Sequence, residues 1–381
     1  MASNLLRKLN FITPGASVAA PSAASKVKEF VQSYPLEDGI RRLNQSALID
    51  MGLTGGTFDI NRAVFIDTET TGLSGGAGTV AFLIGYGYAD GESFVVKQLL
   101  MPDYSCEAEM LITLSKELAR FDTFVHFNGT RFDIPLINER CTMKRLNRFA
   151  EGFNQLDLLY PSRRVWKLRL GSCRLSYLES AVLGMEERDD IPGSEIPGRY
   201  FESVKTGNLS LLDDVIAHNR QDIVTLATLL VKLNSIYAKP EDTEETLDLY
   251  SLGKAFEQLG QKRVAKGLYL KASRPRAVLT ARELRNEKYA GEANYRLFLL
   301  LRRNGEYEKC EQTLLNMIKR RQKGYLPILE ICKLYEHRIK NYPLALKYCK
   351  MLYSSDFEDK QALNNREKRI ISKINKTEAT K

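Results

Sequence analysis

The sequence predicts a mixed α/β domain followed by an all-helical region, and three observations predict it. Apolar runs of strand length, rich in β-branched and aromatic residues, occupy 63–66, 80–88 and 93–100. Helical and extended patterns then alternate to about residue 237, the order expected of a mixed sheet flanked by helices. Beyond the polar break Lys239 to Glu245, helical periodicity runs throughout.

Residues 1–12 read as a short basic amphipathic turn, and Thr13 to Ser25, rich in Ala, Ser, Pro and Gly, as a flexible linker. Ala63-Val64-Phe65-Ile66 reads as a buried strand that ends at the charge of Asp67, followed by a Gly-rich turn from Gly72 to Gly78. Val80 to Tyr88 and Ser93 to Leu100 are separated by Ala89-Asp90-Gly91, a hairpin signal. Glu107 to Arg120 predicts a helix, Thr123 to Phe127 a strand and Ile134 to Leu146 a second helix. Residues 154–160 are extended or ambiguous, Leu175 to Leu183 is a short amphipathic helix, and Met185 to Gly207, with Pro192 and Pro197, is irregular. A long helix runs from the cap Ser210 to about Tyr237 on the stripe Leu211, Val215, Leu226, Leu229, Leu233. Further on, Gly305-Glu306-Tyr307 with Cys310 is loosely repeated 35 residues later as Lys340-Asn341-Tyr342 with Ala345. That offset points either to helical hairpins of the tetratricopeptide type or to a plain helical bundle. The breaks divide the chain into an N-terminal extension with its linker (1–55), an α/β domain (56–237) and a helical domain (243–381).

At 381 residues the chain is long enough for two cores. No apolar stretch is long enough to span a bilayer, and Asn10 to Ser25 lacks the apolar core of a secretory leader. The six cysteines show no C-x-x-C spacing and read as reduced, buried thiols of a cytoplasmic protein. Charge is unevenly placed. Residues 236–381 carry 31 Lys+Arg against 19 Asp+Glu, a net of +12, whereas residues 1–235 carry 25 against 28, a net of −3. A basic module beside a carboxylate-rich one suits a polyanionic substrate, with a basic solvated surface as the alternative. No Walker-type G-x-x-x-x-G-K-[ST] occurs, so strand separation would need a helicase partner.

The chemistry is concentrated in a few carboxylates. Asp67 and Glu69, two apart on a strand, share a face, and two like charges there are most easily kept by a divalent cation between them. Asp133 follows a strand end and opens a helix, so it is either a further ligand or a helix cap. His218 and Asp222, four apart, both fall on the apolar stripe of the long helix, where a buried charge needs a partner. Around the single Trp166 stand Arg163, Arg164, Lys167, Arg169 and Arg174, which read either as a phosphate grip with a stacking aromatic or as a solvated basic loop.

Together these motifs resemble the DEDD superfamily of 3′→5′ exonucleases, whose fold is RNase H-like. Asp67-x-Glu69 resembles its first motif, Asn128-x-x-x-Phe132-Asp133 the second, and His218-x-x-x-Asp222 stands where the third belongs. With Ser74-Gly75-Gly76-Ala77-Gly78-Thr79 and the C-terminal helical repeats, the whole chain looks like the bacterial YprB family, also called mitomycin repair factor B, which implies a role in DNA repair. The resemblance implies that Asp67, Glu69, Asp133 and Asp222 hold two divalent ions, Mg²⁺ or Mn²⁺, and that DNA is the substrate. The superfamily commonly has a Tyr four residues before the last Asp, or a His five before it. Here His218 takes the four-residue spacing, to accept a proton or to position water. Leu73 and the backbone after Glu69, beginning at Thr70, are implied to meet the terminal nucleotide, Asn128 and Phe132 to shape its pocket, and Asp157 to be supportive and not a ligand. RNA as substrate, and a catalytically silent DNA-binding scaffold, are the alternatives left open at this point.

Overall fold

A computed structural model of the protein describes residues 27–72, 78–186, 191–274 and 280–379. The expected turn at 1–12, the linker and Leu73 in the Gly-rich stretch lie outside the described residues. The chain divides into two compact units, the first ending at Lys239 and the second beginning at Pro240.

The first unit is built on a mixed sheet of six strands. They are β1 (Lys28–Pro35), β2 (Ala63–Thr70), β3 (Ala81–Asp90), β4 (Ser93–Leu100), β5 (Thr123–His126) and β6 (Asn154–Asp157). Their order is β1-β4-β3-β2-β5-β6. The four strands β1, β4, β3 and β2 pair antiparallel, whereas β2, β5 and β6 run parallel. In the parallel part β2 buries Ala63 to Ile66 and β5 all four of its residues, and the carboxyl ends form the rim where α/β sheets collect functional groups.

The helices of this unit are α1 (Asp38–Arg41), α2 (Gln45–Met51), α3 (Glu107–Leu118), α4 (Asp133–Met143), α5 (Leu159–Leu170), α6 (Leu175–Leu178), α7 (Ile196–Thr206) and α8 (Asp213–Ala238). On one face of the sheet Val64, Ile66, Phe82 and Ile84 share a core with Met110, Leu114 and Ile137 of α3 and α4. On the other face α8 packs against β2, β3 and β4. Its close approach depends on Gly85-Tyr86-Gly87 in β3. A Cβ on Gly85 would stand 2.1 Å from Asn219 Oδ1, and one on Gly87 2.5 Å from Ile223 Cγ2, one helical turn further on.

Three elements depart from the sequence expectation. The sheet starts with β1, inside the stretch assigned to an N-terminal extension. Lys28-Glu29-Phe30-Val31-Gln32-Ser33 alternates weakly because it forms an outer strand, paired on one side only with β4. Ile196–Thr206 is a helix within the segment expected to be irregular, with Pro197 in its first turn, where a missing N–H costs nothing. The basic stretch around Trp166 is a helix, α5, not a loop.

The second unit is wholly helical, with α9 (Thr246–Gln258), α10 (Lys262–Ala272), α11 (Ala281–Arg303), α12 (Tyr307–Lys319), α13 (Leu326–Leu334), α14 (Tyr342–Tyr353) and α15 (Lys360–Glu378). Each packs chiefly on its neighbours in the chain. Glu336, buried after α13, receives Arg366, Arg369 and Lys373 from α15. Burial alone would raise its carboxyl; hydrogen bonds from Arg369 and Lys373 instead hold it down at about 2. All six cysteines are buried, and none is in a disulfide. Among the described residues no helix is long and apolar enough to cross a membrane.

Candidate active site

Asp67 and Glu69 project from the last turn-ward half of β2 on the face covered by α8, and α8 answers with Asn219 opposite Asp67 and His218 opposite Glu69. Successive residues of α8 meet alternate residues of β2 because a strand repeats its face every second residue. His218 Nε2 lies 3.7 Å from Glu69 Oε1 and 3.6 Å from Asp222 Oδ2. Thr68, pointing the other way, donates its hydroxyl to Asp133 Oδ1. Asp133 is the first residue of α4, one past its N-cap Phe132, and its carboxylate also accepts a hydrogen bond from its own backbone N–H at the helix start.

The electrostatics show that these groups converge. The Asp67 carboxyl is pushed well above the ordinary carboxylate range by desolvation, then by the charges of Asp222, Asp133 and Glu69; a hydrogen bond from Asn219 opposes them. Desolvation likewise raises Asp133, against the pull of the Thr68 hydroxyl. Asp67 on β2 thus lies near enough to Glu69, Asp133 of α4 and Asp222 of α8 to feel their charges, while His218 meets Glu69 and Asp222. Among the described residues no three His, Cys, Asp or Glu side chains form a ready-made cation cage.

The loop that delivers Asp133 is fastened from below by Asp157, at the end of β6. Its Oδ1 accepts the backbone N–H groups of Asn128 at 2.7 Å and Leu159 at 3.1 Å, and its Oδ2 accepts the Thr130 hydroxyl at 3.0 Å. Asn128 has φ 67°, a left-handed conformation that Asn adopts more readily than most residues. Beneath the loop lies His126, fully buried, with Nε2 2.8 Å from Gln155 Oε1 and Nδ1 3.6 Å from Asp157 Oδ2. Asp157 is thus supportive through hydrogen bonding.

The substrate candidates separate. Phe132 is exposed beside Asp133, and Asn128 is half-buried. The Thr70 hydroxyl donates to Gly72 O at 2.8 Å and so serves the turn. Arg163 is exposed on α5. Trp166 is only 2% exposed, so its indole packs in the core and cannot stack on a base. Arg164 donates to the carbonyls of Asp50 and Met51, both at 3.3 Å, and clasps α2. An amphipathic helix places every third or fourth residue inward, which sends Trp166 to the core while Arg163 stays outside.

Sequence reasoning missed Asn219 and Gln98. Asn219 is fully buried, and its signal was the one that exposed His218 and Asp222, a polar residue on an apolar helical stripe between Val215 and Ile223. Gln98 likewise interrupts the apolar end of β4.

A sequence profile of the RNase H superfamily matches residues 64–234. The chain is also similar to "Uncharacterized protein YprB" of Bacillus subtilis (strain 168), 29% identical over 320 residues that cover 82% of this chain and 74% of that protein. Among solved structures it is similar to the family B DNA polymerase of the hyperthermophilic archaeon Pyrobaculum calidifontis. That match has 13% identity and a TM-score of 0.36, and covers 60% of this chain and 32% of the polymerase.

Proposed function

We propose that the RNase H superfamily domain of residues 64–234 is a divalent-metal-dependent 3′→5′ exonuclease acting on DNA, in repair. The observation that carries this reading is the convergence of Asp67, Glu69, Asp133 and Asp222, with His218 against two of them. Their mutual repulsion opposes folding unless cations relieve it. The donors are all hard oxygens, which suits Mg²⁺ or Mn²⁺. Mg²⁺ keeps several waters and is usually held by one or two carboxylates together with substrate phosphate, so a carboxylate cluster that is no closed cage fits it. Asp67, Glu69, Asp133 and Asp222 are the residues that would hold two such ions. When bound, ions of this kind supply an activated water and offset charge on the leaving 3′-oxygen.

The chain's own side chains do the remaining work. His218, with Nε2 toward Glu69 and Asp222, takes the proton of the attacking water or holds that water in line. Phe132 offers an exposed aromatic face beside Asp133 for the terminal base, Asn128 borders the same loop, and Arg163 meets the phosphate backbone. The direction of attack and the choice of DNA rest on the motif order and on the resemblance to the YprB family. In the helical unit a cavity of about 610 Å³ is lined by Arg263, Lys271 and Arg274 with a single acid, Glu241. With the net +12 of residues 236–381, it supports a polyanion held there, by this chain alone or with a helicase partner.

The test is digestion of matched 3′-labelled and 5′-labelled DNA and RNA with Mg²⁺, Mn²⁺ or EDTA, wild type beside Asp133→Ala. Metal-dependent loss of nucleotides from the 3′ end of DNA, abolished in Asp133→Ala, is the expected result. Faster attack on RNA moves the reading to RNA processing. DNA binding without cleavage under either metal overturns the enzyme in favour of a scaffold.

A further inference from the structure

Asp67, Gly85 and Gln98 form one cross-strand row, since Asp67 pairs with Gly85 on β3 and Gly85 pairs with Gln98 on β4. Directly paired residues point to the same face, here the one covered by α8. Because the middle member has no side chain, the Asn219 amide drops from α8 into the gap between Asp67 and Gln98. Asn219 and Gln98 are both buried, so their amides must find partners inside the protein.

Those partners fix which way each amide points. Gln98 Nε2 lies 2.8 Å from Ile216 O and 2.9 Å from Asn219 Oδ1. A peptide carbonyl only accepts, so the Gln98 atom facing it is the nitrogen. The Asn219 atom facing that nitrogen must then be the oxygen. This leaves Asn219 Nδ2 aimed at Asp67, where it donates to Oδ2 at 3.0 Å and to the main-chain oxygen at 3.3 Å.

We infer that Asn219 is a positioning residue whose amide, oriented by Gln98, fixes the Asp67 carboxylate through Oδ2 and leaves Oδ1 to meet a divalent cation. The inference rests on the metal-dependent reading of the site and names a part of it that lies outside the four carboxylates and His218. A donor to the charged form also opposes the desolvation and like charges that push the Asp67 carboxyl up. Partners standing behind a metal ligand are worth about 10–100-fold in metal affinity or activity.

The test reads Mn²⁺ binding to the full chain by the EPR signal of free Mn²⁺, independently of cleavage. Asn219→Leu removes the donor at similar volume. Gln98→Met removes the orienting amide without touching Asp67, and carries the test if Asn219→Leu does not fold. Thermal unfolding in EDTA establishes folding for each. Asn219→Leu is expected to bind Mn²⁺ about 10–100-fold more weakly than wild type. Gln98→Met should weaken binding in the same direction, and adding Asn219→Leu to Asp67→Asn should bring no further loss. A folded Asn219→Leu or Gln98→Met that binds within about twofold of wild type overturns the inference, as does an additive loss in the double variant. A folded wild type that binds no Mn²⁺ overturns the metal reading itself, and this inference with it.

Discussion

His218 Nε2 lies 3.6 Å from Asp222 Oδ2, one turn along the same helix, and also 3.7 Å from Glu69 Oε1 across on β2. An imidazole held against two carboxylates can take a proton from water while the carboxylates remain the hard-oxygen donors. His218→Ala is therefore expected to lower kcat by about 10²–10⁴-fold while Mn²⁺ binding is kept, whereas Asp222→Ala loses both. Single-turnover cleavage beside Mn²⁺ titration separates the two. Equal loss of binding in His218→Ala would place the imidazole among the ligands instead.

The raised Asp67 and Asp133 carboxyls have a consequence for the metal-free protein. A carboxyl raised on folding stabilises the fold fully below its unfolded value near 4. That contribution is lost as pH rises through the folded value. In EDTA the Tm should accordingly fall as pH rises above the unfolded value near 4, and Mn²⁺ should flatten the decline because bound cations favour the ionised carboxylates. At pH 8 in EDTA, Asp67→Asn should melt above wild type by about 2 °C or more, the shift that ~1 kcal/mol gives in a domain of this size, while abolishing cleavage. Stabilisation by loss of a functional charge is the informative sign; a lower Tm would show that Asp67 carries no such strain.

Gly129 is the residue that lets the Asp133 loop close over His126. A Cβ there would stand 2.7 Å from His126 Cγ, 2.9 Å from His126 Nδ1 and 3.0 Å from Asp133 Oδ2. His126 is buried and hydrogen-bonded to Gln155, so it has little room to yield. Gly129→Ala should cost about 1–3 kcal/mol by overpacking and displace Asp133, lowering kcat. Gly193→Ala, whose Cβ meets nothing within 4 Å, is the matched control. Thermal melts and kcat for the pair decide it; a silent Gly129→Ala would show that the loop relaxes freely.

The basic stretch on α5 divides by what each side chain meets. Trp166 is a core side chain and Arg164 a clasp on α2, so Trp166→Phe should cost about 1–3 kcal/mol of stability. Its KM for DNA, measured well below the melting range, should not move. Arg163→Ala and Phe132→Ala, both exposed, should raise KM with Tm unchanged. A KM effect confined to Trp166→Phe would reverse the assignment.

Much of the site was legible because its cues are local. The i, i+2 spacing of Asp67 and Glu69 and the i, i+4 spacing of His218 and Asp222 each fix a face within one element, and the hairpin at Ala89-Asp90-Gly91 carries its own turn chemistry. What escaped depends on partners far away in the chain. β1 is an outer strand only because β4 accepts it, and the Asn219 amide is meaningful only because Gly85, more than a hundred residues earlier, leaves the space it fills. Trp166 was misplaced for the same reason: interleaved Arg and Trp describe composition, whereas burial on α5 is set by the elements packed against it.

Arg263 and Arg274 line a cavity of about 610 Å³ on α10 and just beyond it, while Lys271 is already tied to the Glu241 carbonyl and to Glu244. Two exposed guanidinium groups at one cavity suit phosphate groups, each of which accepts a bidentate guanidinium through two of its oxygens. Each phosphate contact to a single strand contributes about 0.7 to the slope of log affinity against log salt. Arg263→Gln combined with Arg274→Gln should thus weaken binding of single-stranded DNA and reduce that slope by roughly 1.4. Mn²⁺ binding, which the proposed function assigns to the carboxylates of the first unit, should be untouched. Fluorescence anisotropy over a salt series measures the slope directly. An unchanged slope with unchanged affinity would remove this cavity from the path of the nucleic acid and leave the net +12 of residues 236–381 to act elsewhere on the helical unit.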